Sequence, residues 1–234
     1  MRRLGMVALF IAHGLSAQAE PDTLTIQQAK ARFAKADRAL TEAWTAAKKS
    51  VVPQLAAELA ERQRDWVNAR KATAVFDSGV HKSEARTSPE VYQLMAEATE
   101  RRTDFLRRVA TQTDTTMTGI WHDGWNTTVR ILEQNDRLLF EFEVPGVAAL
   151  AGVAAWNERI GWFSDRGKPY QETREANICF LWHGWKMEVV SANTRHYFDR
   201  RSGIDRTYYK VGSLTKEDEA ALTGAAEAGE YNPQ

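Results

Sequence analysis

The sequence has one cysteine, Cys179, in 234 residues. No internal disulfide can form, so the fold must be held by its core. Charge of one sign is not in excess, with 31 Lys and Arg against 31 Asp and Glu. That balance lacks the basic surplus of a nucleic-acid binder. Beyond the first residues no apolar run approaches the about 18 residues a membrane span needs. Gly-x-Ser-x-Gly, His-Glu-x-x-His, a phosphate loop and a dinucleotide fingerprint are all missing. No cofactor is expected. A zinc site would need three or four ligands at fixed spacing, and the chain offers only His122, His183, His196 and scattered carboxylates. Glu141 and Glu143 alternate with apolar residues, so they read as the solvated face of a strand rather than a glycosidase pair. The expectation is a binding protein, not an enzyme.

What is present begins with an address. Met1-Arg2-Arg3 is a basic start, Leu4 to Leu15 is mostly apolar, and Ala17-Gln18-Ala19 fits a small-x-small cleavage site. These predict a signal peptide over 1–19, cut before Glu20, and a soluble periplasmic or secreted protein.

From Thr25, apolar residues recur at Ile26, Ala29, Phe33, Ala36, Leu40, Trp44 and Ala47, in steps of three and four. That spacing predicts an amphipathic helix. Pro53 opens a second helix at its first turn, carrying Leu55, Leu59, Trp66 and Thr73 on one stripe with Gln63 and Arg70 beside it. The break between these helices is short, which predicts that they pair antiparallel. Phe76 to Thr87 reads as a loop. Ser88-Pro89-Glu90 is a helix start, with a capping Ser, Pro at the first position and an acid at the positive end of the dipole. Val91, Leu94, Met95, Ala98, Phe105 and Val109 form the buried stripe of this third helix. Thr111 to Thr118 is a Thr-rich linker.

Certain of these positions form a pattern: Asp37-x-x-Leu40, Trp44, Gln63-x-x-Trp66-x-x-x-Arg70 and Thr99-x-x-Arg102-x-x-x-Leu106. The pattern resembles the N-terminal domain of the LprI-type lysozyme inhibitors, over roughly Thr25 to Val109. The resemblance implies a secreted helical domain whose motif residues brace the helices, and lysozyme or another cell-wall hydrolase as a partner. Thr41 and Trp44 depart from the family's usual Asn and Tyr, and the cysteines that usually tie its helices together are absent from this half.

After Gly119 the period changes to two. Val129 and Ile131 alternate with Thr128, Arg130 and Leu132, Gln134-Asn135-Asp136 turns the chain, and Leu138, Phe140, Phe142 and Val144 follow opposite Arg137, Glu141 and Glu143. This predicts a hairpin with one buried face, ended by Pro145-Gly146. Val147 to Trp156 is apolar, Arg159 to Phe163 is a short strand, and Asp165 to Glu175 is a polar loop. Ile178, Phe180 and Trp182 line one face, with Cys179 on the other. His183-Gly184 turns the chain into a strand with Trp185, Met187 and Val189. Thr207 to Val211 is a candidate closing strand, Thr215 caps a short final helix, and Gly224 to Gln234 reads as a mobile tail. The expected fold is α+β: an N-terminal antiparallel three-helix unit over 20–112, a small antiparallel β-barrel or sandwich over 118–214, and a helix and tail over 215–234.

Trp121-His122-Asp123-Gly124-Trp125 and Trp182-His183-Gly184-Trp185 look alike. If they meet in space, Trp121, His122, Asp123, Trp125, Trp182, His183 and Trp185 are candidate binding residues, a polar cluster rimmed by indoles. Two functions follow as expectations. One, implied by the resemblance together with the export signal, is non-covalent blocking of a muramidase. The other is a non-inhibitory envelope module that binds a glycan or protein through the Trp-rich β-domain.

Overall fold

The computed structural model describes residues 24–144, 149–165, 175–198, 203–229 and 231–232. The expected signal peptide, Pro145-Gly146 and most of the expected Asp165 to Glu175 loop lie outside them. Three helices come first. Helix α1 is Ile26–Ser50, opened by a reciprocal cap in which Thr25 accepts from the Gln28 N–H and Gln28 accepts from the Thr25 N–H. Helix α2 is Pro53–Ser78, with proline in its first turn as expected. It continues through Phe76, Asp77 and Ser78, which the sequence places in a loop, and stops at Gly79. Only there does the backbone turn left-handed, at φ 65°. Helix α3 is Pro89–Thr111, and the Ser88 hydroxyl accepts from the Val91 N–H.

The short link between α1 and α2 does not make them the closest pair. Helix α1 packs along α3 over most of its length and meets α2 far less. Buried Ala29, Ala36 and Ala43 repeat every seven residues on α1, and buried Ala96, Thr99 and Thr103 lie on α3. Such small residues let two backbones approach. The stripe of α2 carries Gln63, Trp66 and Arg70, whose bulk holds that helix further off. Arg32 pairs with Glu97 and Glu100, and Ala43 and Ala47 share a cluster with Phe105 and Val109, so α1 and α3 run in the same direction. Helix α2 runs against both: Arg70 reaches Asp37 and Thr99, while Leu55 and Leu59 join Leu106 and Val109.

Eight antiparallel strands then form a closed barrel: β1 Gly119–His122, β2 Thr128–Gln134, β3 Arg137–Glu143, β4 Ala149–Trp156, β5 Ile160–Ser164, β6 Asn177–Trp182, β7 Lys186–Ala192 and β8 Thr207–Gly212. The order is β3-β2-β1-β8-β7-β6-β5-β4, and β3 also pairs with β4, which closes the ring. Barrel, not sandwich, is therefore the outcome. The interior is filled by side chains. Phe140, Phe142, Phe180, Phe198 and Tyr208 pack ring against ring with centroids 5.0–6.1 Å apart. Gly152 makes room for this cluster, since a Cβ there would lie 2.8 Å from Phe163 and 3.0 Å from Phe140.

The structure changes three further expectations. The outer face of the β2–β3 hairpin is covered in part: Leu132 and Leu139 lie under Leu222 and Ala226 of helix α4, Lys216–Ala228, while Arg130, Glu141 and Glu143 stay accessible. Trp185 lies in the β6–β7 turn rather than in a strand. The segment from Gly224 is ordered well beyond the start of the expected tail: α4 runs to Ala228, and β9 (Tyr231–Asn232) pairs with Ala149 and Leu150 at the edge of β4. The hairpin turn itself is tight, with Gln134 opposite Arg137 and Asn135 left-handed at φ 55°.

Candidate functional site

The motif residues converge where the helices meet the barrel. The Trp66 ring lies between two guanidinium groups, with Arg70 5.3 Å and Arg102 5.8 Å from its centroid. Arg70 donates to Asp37 at 2.8 Å and to the Thr99 hydroxyl at 3.1 Å. Arg102 donates through Nε to Gln63 at 2.8 Å and through Nη1 to the Gly124 carbonyl at 2.9 Å. Asp37, Gln63, Trp66, Arg70, Thr99 and Arg102 thus form one continuous network across all three helices. Leu40 and Leu106 sit in the apolar cluster below it, and Trp44 packs at the edge of that cluster. Helical spacing brings Gln63, Trp66 and Arg70 to one face of α2. The link to Gly124 carries the network into the barrel.

Asp123 holds the loop between β1 and β2. Its side chain is fully enclosed, Oδ1 accepts from the N–H groups of Trp125, Asn126 and Thr127 at 2.8, 3.0 and 3.0 Å, and Oδ2 pairs with Arg206 at 2.7 Å. Three N–H donors and a guanidinium satisfy this carboxylate. His122 accepts the Gly124 N–H at Nδ1, 2.8 Å away, which leaves the neutral ring its proton on Nε2. Burial, with Arg102 and Arg108 nearby, lowers the His122 pKa against the opposing pull of Asp123. Gly124 is left-handed at φ 81°, and a Cβ there would lie 2.3 Å from Arg102 Nη1.

Between α2, α3 and this loop lies a cleft of 590 Å³. Trp66, Phe105, Trp125 and Leu94 line it, and so do Arg70, Arg101, Arg102, Arg108 and Arg206 against only two carboxylates, Asp77 and Asp104. Arg102 is buried, and its pKa is pushed down to about 10, chiefly by loss of solvent. Its Nη2 has no hydrogen-bond partner among the described residues.

The two Trp-His segments share one apolar cluster through a single indole each. Trp125 and Trp185 both pack on the apolar cluster shared by helices and barrel. Trp121 is instead fully buried in the barrel, donating to the Met117 carbonyl at 2.9 Å. Trp182 packs against the barrel core and edge-on to Trp156. His122 lines the cleft, whereas His183 lies 3.7 Å from Glu188 on the far side of Tyr209 and Lys186. Among the described residues no group of three His, Cys, Asp or Glu is placed to hold a metal. Cys179 is a half-buried free thiol on the outer face, across from Trp162 and Val190, and burial raises its pKa.

Sequence reasoning missed a second polar link between helices and barrel. Glu58 accepts from the Tyr209 hydroxyl at 2.7 Å and from Lys186 at 3.1 Å, and Arg62 donates to Thr207 at 2.8 Å. These partners are more than a hundred residues apart in the chain, so no local pattern marks them. Three arginines of the cleft, Arg101, Arg108 and Arg206, were also missed. Arg101, Phe105 and Arg108 recur at steps of four and three, and that spacing does place them on one face of α3.

Residues 16–106 match the family model described as Lysozyme inhibitor LprI. The matched span takes in α1, α2, most of α3 and every motif residue of the network, and the barrel lies outside it. No curated protein and no solved structure matches the chain. Among the described residues no helix is long and apolar enough to cross a membrane.

Proposed function

We propose, from a helical region that belongs to the LprI family of lysozyme inhibitors, that this protein binds a lysozyme-type muramidase or a related cell-wall hydrolase and blocks it without covalent chemistry. The observation that carries the reading is the family match over the helices. Its support in the structure is that Gln63, Trp66, Arg70, Thr99 and Arg102 are knitted into one network inside the matched span. These side chains are mostly enclosed, so their role is to fix the helices rather than to touch a partner. Contact falls to accessible groups: Trp125, Trp185, His122 and His183, with Trp182 also partly accessible beside the barrel core. Trp121, Asp123 and Trp182 position them. The basic start, the apolar run Leu4 to Leu15 and Ala17-Gln18-Ala19 support an address outside the cytoplasm, where such hydrolases act. Function here is occupancy, with no bond made or broken by the protein.

The test is clearing of a cell-wall suspension by several lysozyme types, with the chain from Glu20 onward added at micromolar concentration. Clearing should slow in proportion to added protein, and a complex should form at low salt. Trp125→Ala with Trp185→Ala should weaken the effect while the far-UV spectrum stays unchanged. Full lysozyme activity throughout, with no complex at low salt, would overturn the reading.

A further inference from the structure

The arginine-rich cleft is unlike the rest of the molecule. The chain as a whole is neutral, yet five arginines line this one cavity against two aspartates. Two of the five are already paired, Arg70 with Asp37 and Arg206 with Asp123. Arg101 and Arg108 are exposed on α3 and form no ion pair among the described residues. Arg102 has no carboxylate partner either. It is 3% exposed, its two hydrogen bonds go to a neutral amide oxygen and a backbone carbonyl, and among the described residues Nη2 has no partner. A buried cation is ordinarily paired with an anion. Here the wall of the cleft holds the charge, and Asp123, the carboxylate that acts on it from a distance, is already paired with Arg206.

Apart from the two aspartates, the charged groups there and His122 favour an acceptor. The arginines donate only, and neutral His122 has its proton on Nε2 because Nδ1 is taken by Gly124. The remaining lining is mostly apolar and aromatic, with Trp66, Leu94, Phe105 and Trp125, and carries the neutral polar side chains of Thr73, Asn126 and Thr128. A volume of 590 Å³ lies in the range of small-molecule sites. A concave site of this kind cannot enter the concave cleft of a hydrolase, so it takes a convex ligand of its own.

The geometry points to a binding site for a small organic oxyanion, a carboxylate or phosphate group carried on a ring-sized scaffold. The oxyanion faces Arg101 and Arg108, whose forked donors match its geometry. The scaffold lies against Phe105 and Trp125. Arg102 acts from the wall, where low surrounding polarity makes its charge felt without direct contact. The site stands independently of the muramidase reading, since neither its charge nor its shape depends on that partner.

The experiment is calorimetric titration of the full chain at low salt with four probes: N-acetylmuramic acid, glucose 6-phosphate, N-acetylglucosamine and inorganic phosphate. Saturable binding of at least one anionic sugar is expected, weakened by added salt, and the stronger of the two identifies the oxyanion. Arg101→Gln with Arg108→Gln should weaken it by at least about tenfold, roughly 1.4 kcal/mol. Both residues are exposed, so the fold should survive. Arg64→Gln on the exposed side of α2, outside the cleft, should leave binding unchanged. The proposal is overturned by any of four results. These are no saturation by either anionic sugar below about 10 mM, which is weaker than any specific site of this size should be, equal binding of N-acetylglucosamine, equal binding of inorganic phosphate alone, or a folded double variant with undiminished affinity.

Discussion

Replacing Asp123 by alanine should be among the most damaging single changes in the molecule. The wild-type carboxylate is fully enclosed and has four partners: three backbone N–H groups at 2.8–3.0 Å and Arg206 at 2.7 Å. Alanine leaves those N–H groups without an acceptor. Each orphaned, partly buried donor costs about 1–3 kcal/mol, with the lower end applying where water can reach. Arg206 is about one-third exposed and can turn to solvent, so its loss adds little. The sum is about 3–5 kcal/mol, the range seen when one member of a buried pair is removed. That is a large part of a typical total stability of about 5–15 kcal/mol. Arg206→Ala should cost much less, about 1–2 kcal/mol, because Asp123 keeps its three N–H donors. Urea unfolding followed by tryptophan fluorescence measures both, with the midpoint moving and the slope unchanged. The loop also carries the Gly124 carbonyl that accepts from Arg102. Asp123→Ala and Arg102→Met should therefore be non-additive. If Asp123→Ala costs under about 1 kcal/mol, or no more than Arg206→Ala, the account of this loop is wrong.

Three further outcomes are expected. His122 has a lowered pKa in the fold, so the unfolded chain takes up a proton first as pH falls through 6.5. Stability should drop from there until the folded pKa is passed, and His122→Asn, which keeps an acceptor for Gly124 but does not titrate, should flatten that part of the stability curve. Burial raises the Tyr208 and Tyr209 phenols above their ordinary 10.0, with Glu58 adding to the effect at Tyr209. Stability should fall as pH rises beyond 10, and spectroscopic titration should find both phenolates only once the fold opens. Ionisation of all tyrosines in the still-folded protein would contradict this. Gly124→Ala forces a side chain onto Arg102 Nη1 at a left-handed backbone position, and thermal unfolding should show a loss of about 2 kcal/mol or more. A wild-type melting curve would mean that the loop is not fixed.

The helices were legible because each carries an apolar stripe at steps of three and four, with Ser88-Pro89 and Pro53 marking two starts. Which helices pair was not legible from link length. The evidence lay in residue size, in the alanines of α1 facing the small residues of α3, while Trp66 and Arg70 keep α2 at a distance. In the strands, alternation identified the inward face correctly. The doublets Ile131-Leu132 and Leu138-Leu139 broke that alternation, and such doublets are what a strand shows when a helix covers its outer side. The cleft was the least legible part. Arg102 and Gly124 are 22 residues apart, Arg206 is a further 82 away, and only the closed barrel sets them around one space. The first Trp-His segment does lie beside the cleft, but the repeats do not form one cluster. Their indoles divide between the barrel interior and the helix junction instead of gathering on one surface.

Tyr209, Val211, Trp125 and Trp185 of the barrel complete the apolar cluster built by Leu40, Leu59, Phe105 and Leu106. The helices are fastened by a neighbour's side chains and by Glu58 and Arg102, and no sulfur bond takes part. The consequence is indifference to redox potential. A thiol reductant that would loosen a cross-linked helical domain has nothing to cut here, and the fold should be the same in a reducing medium as in an oxidising one.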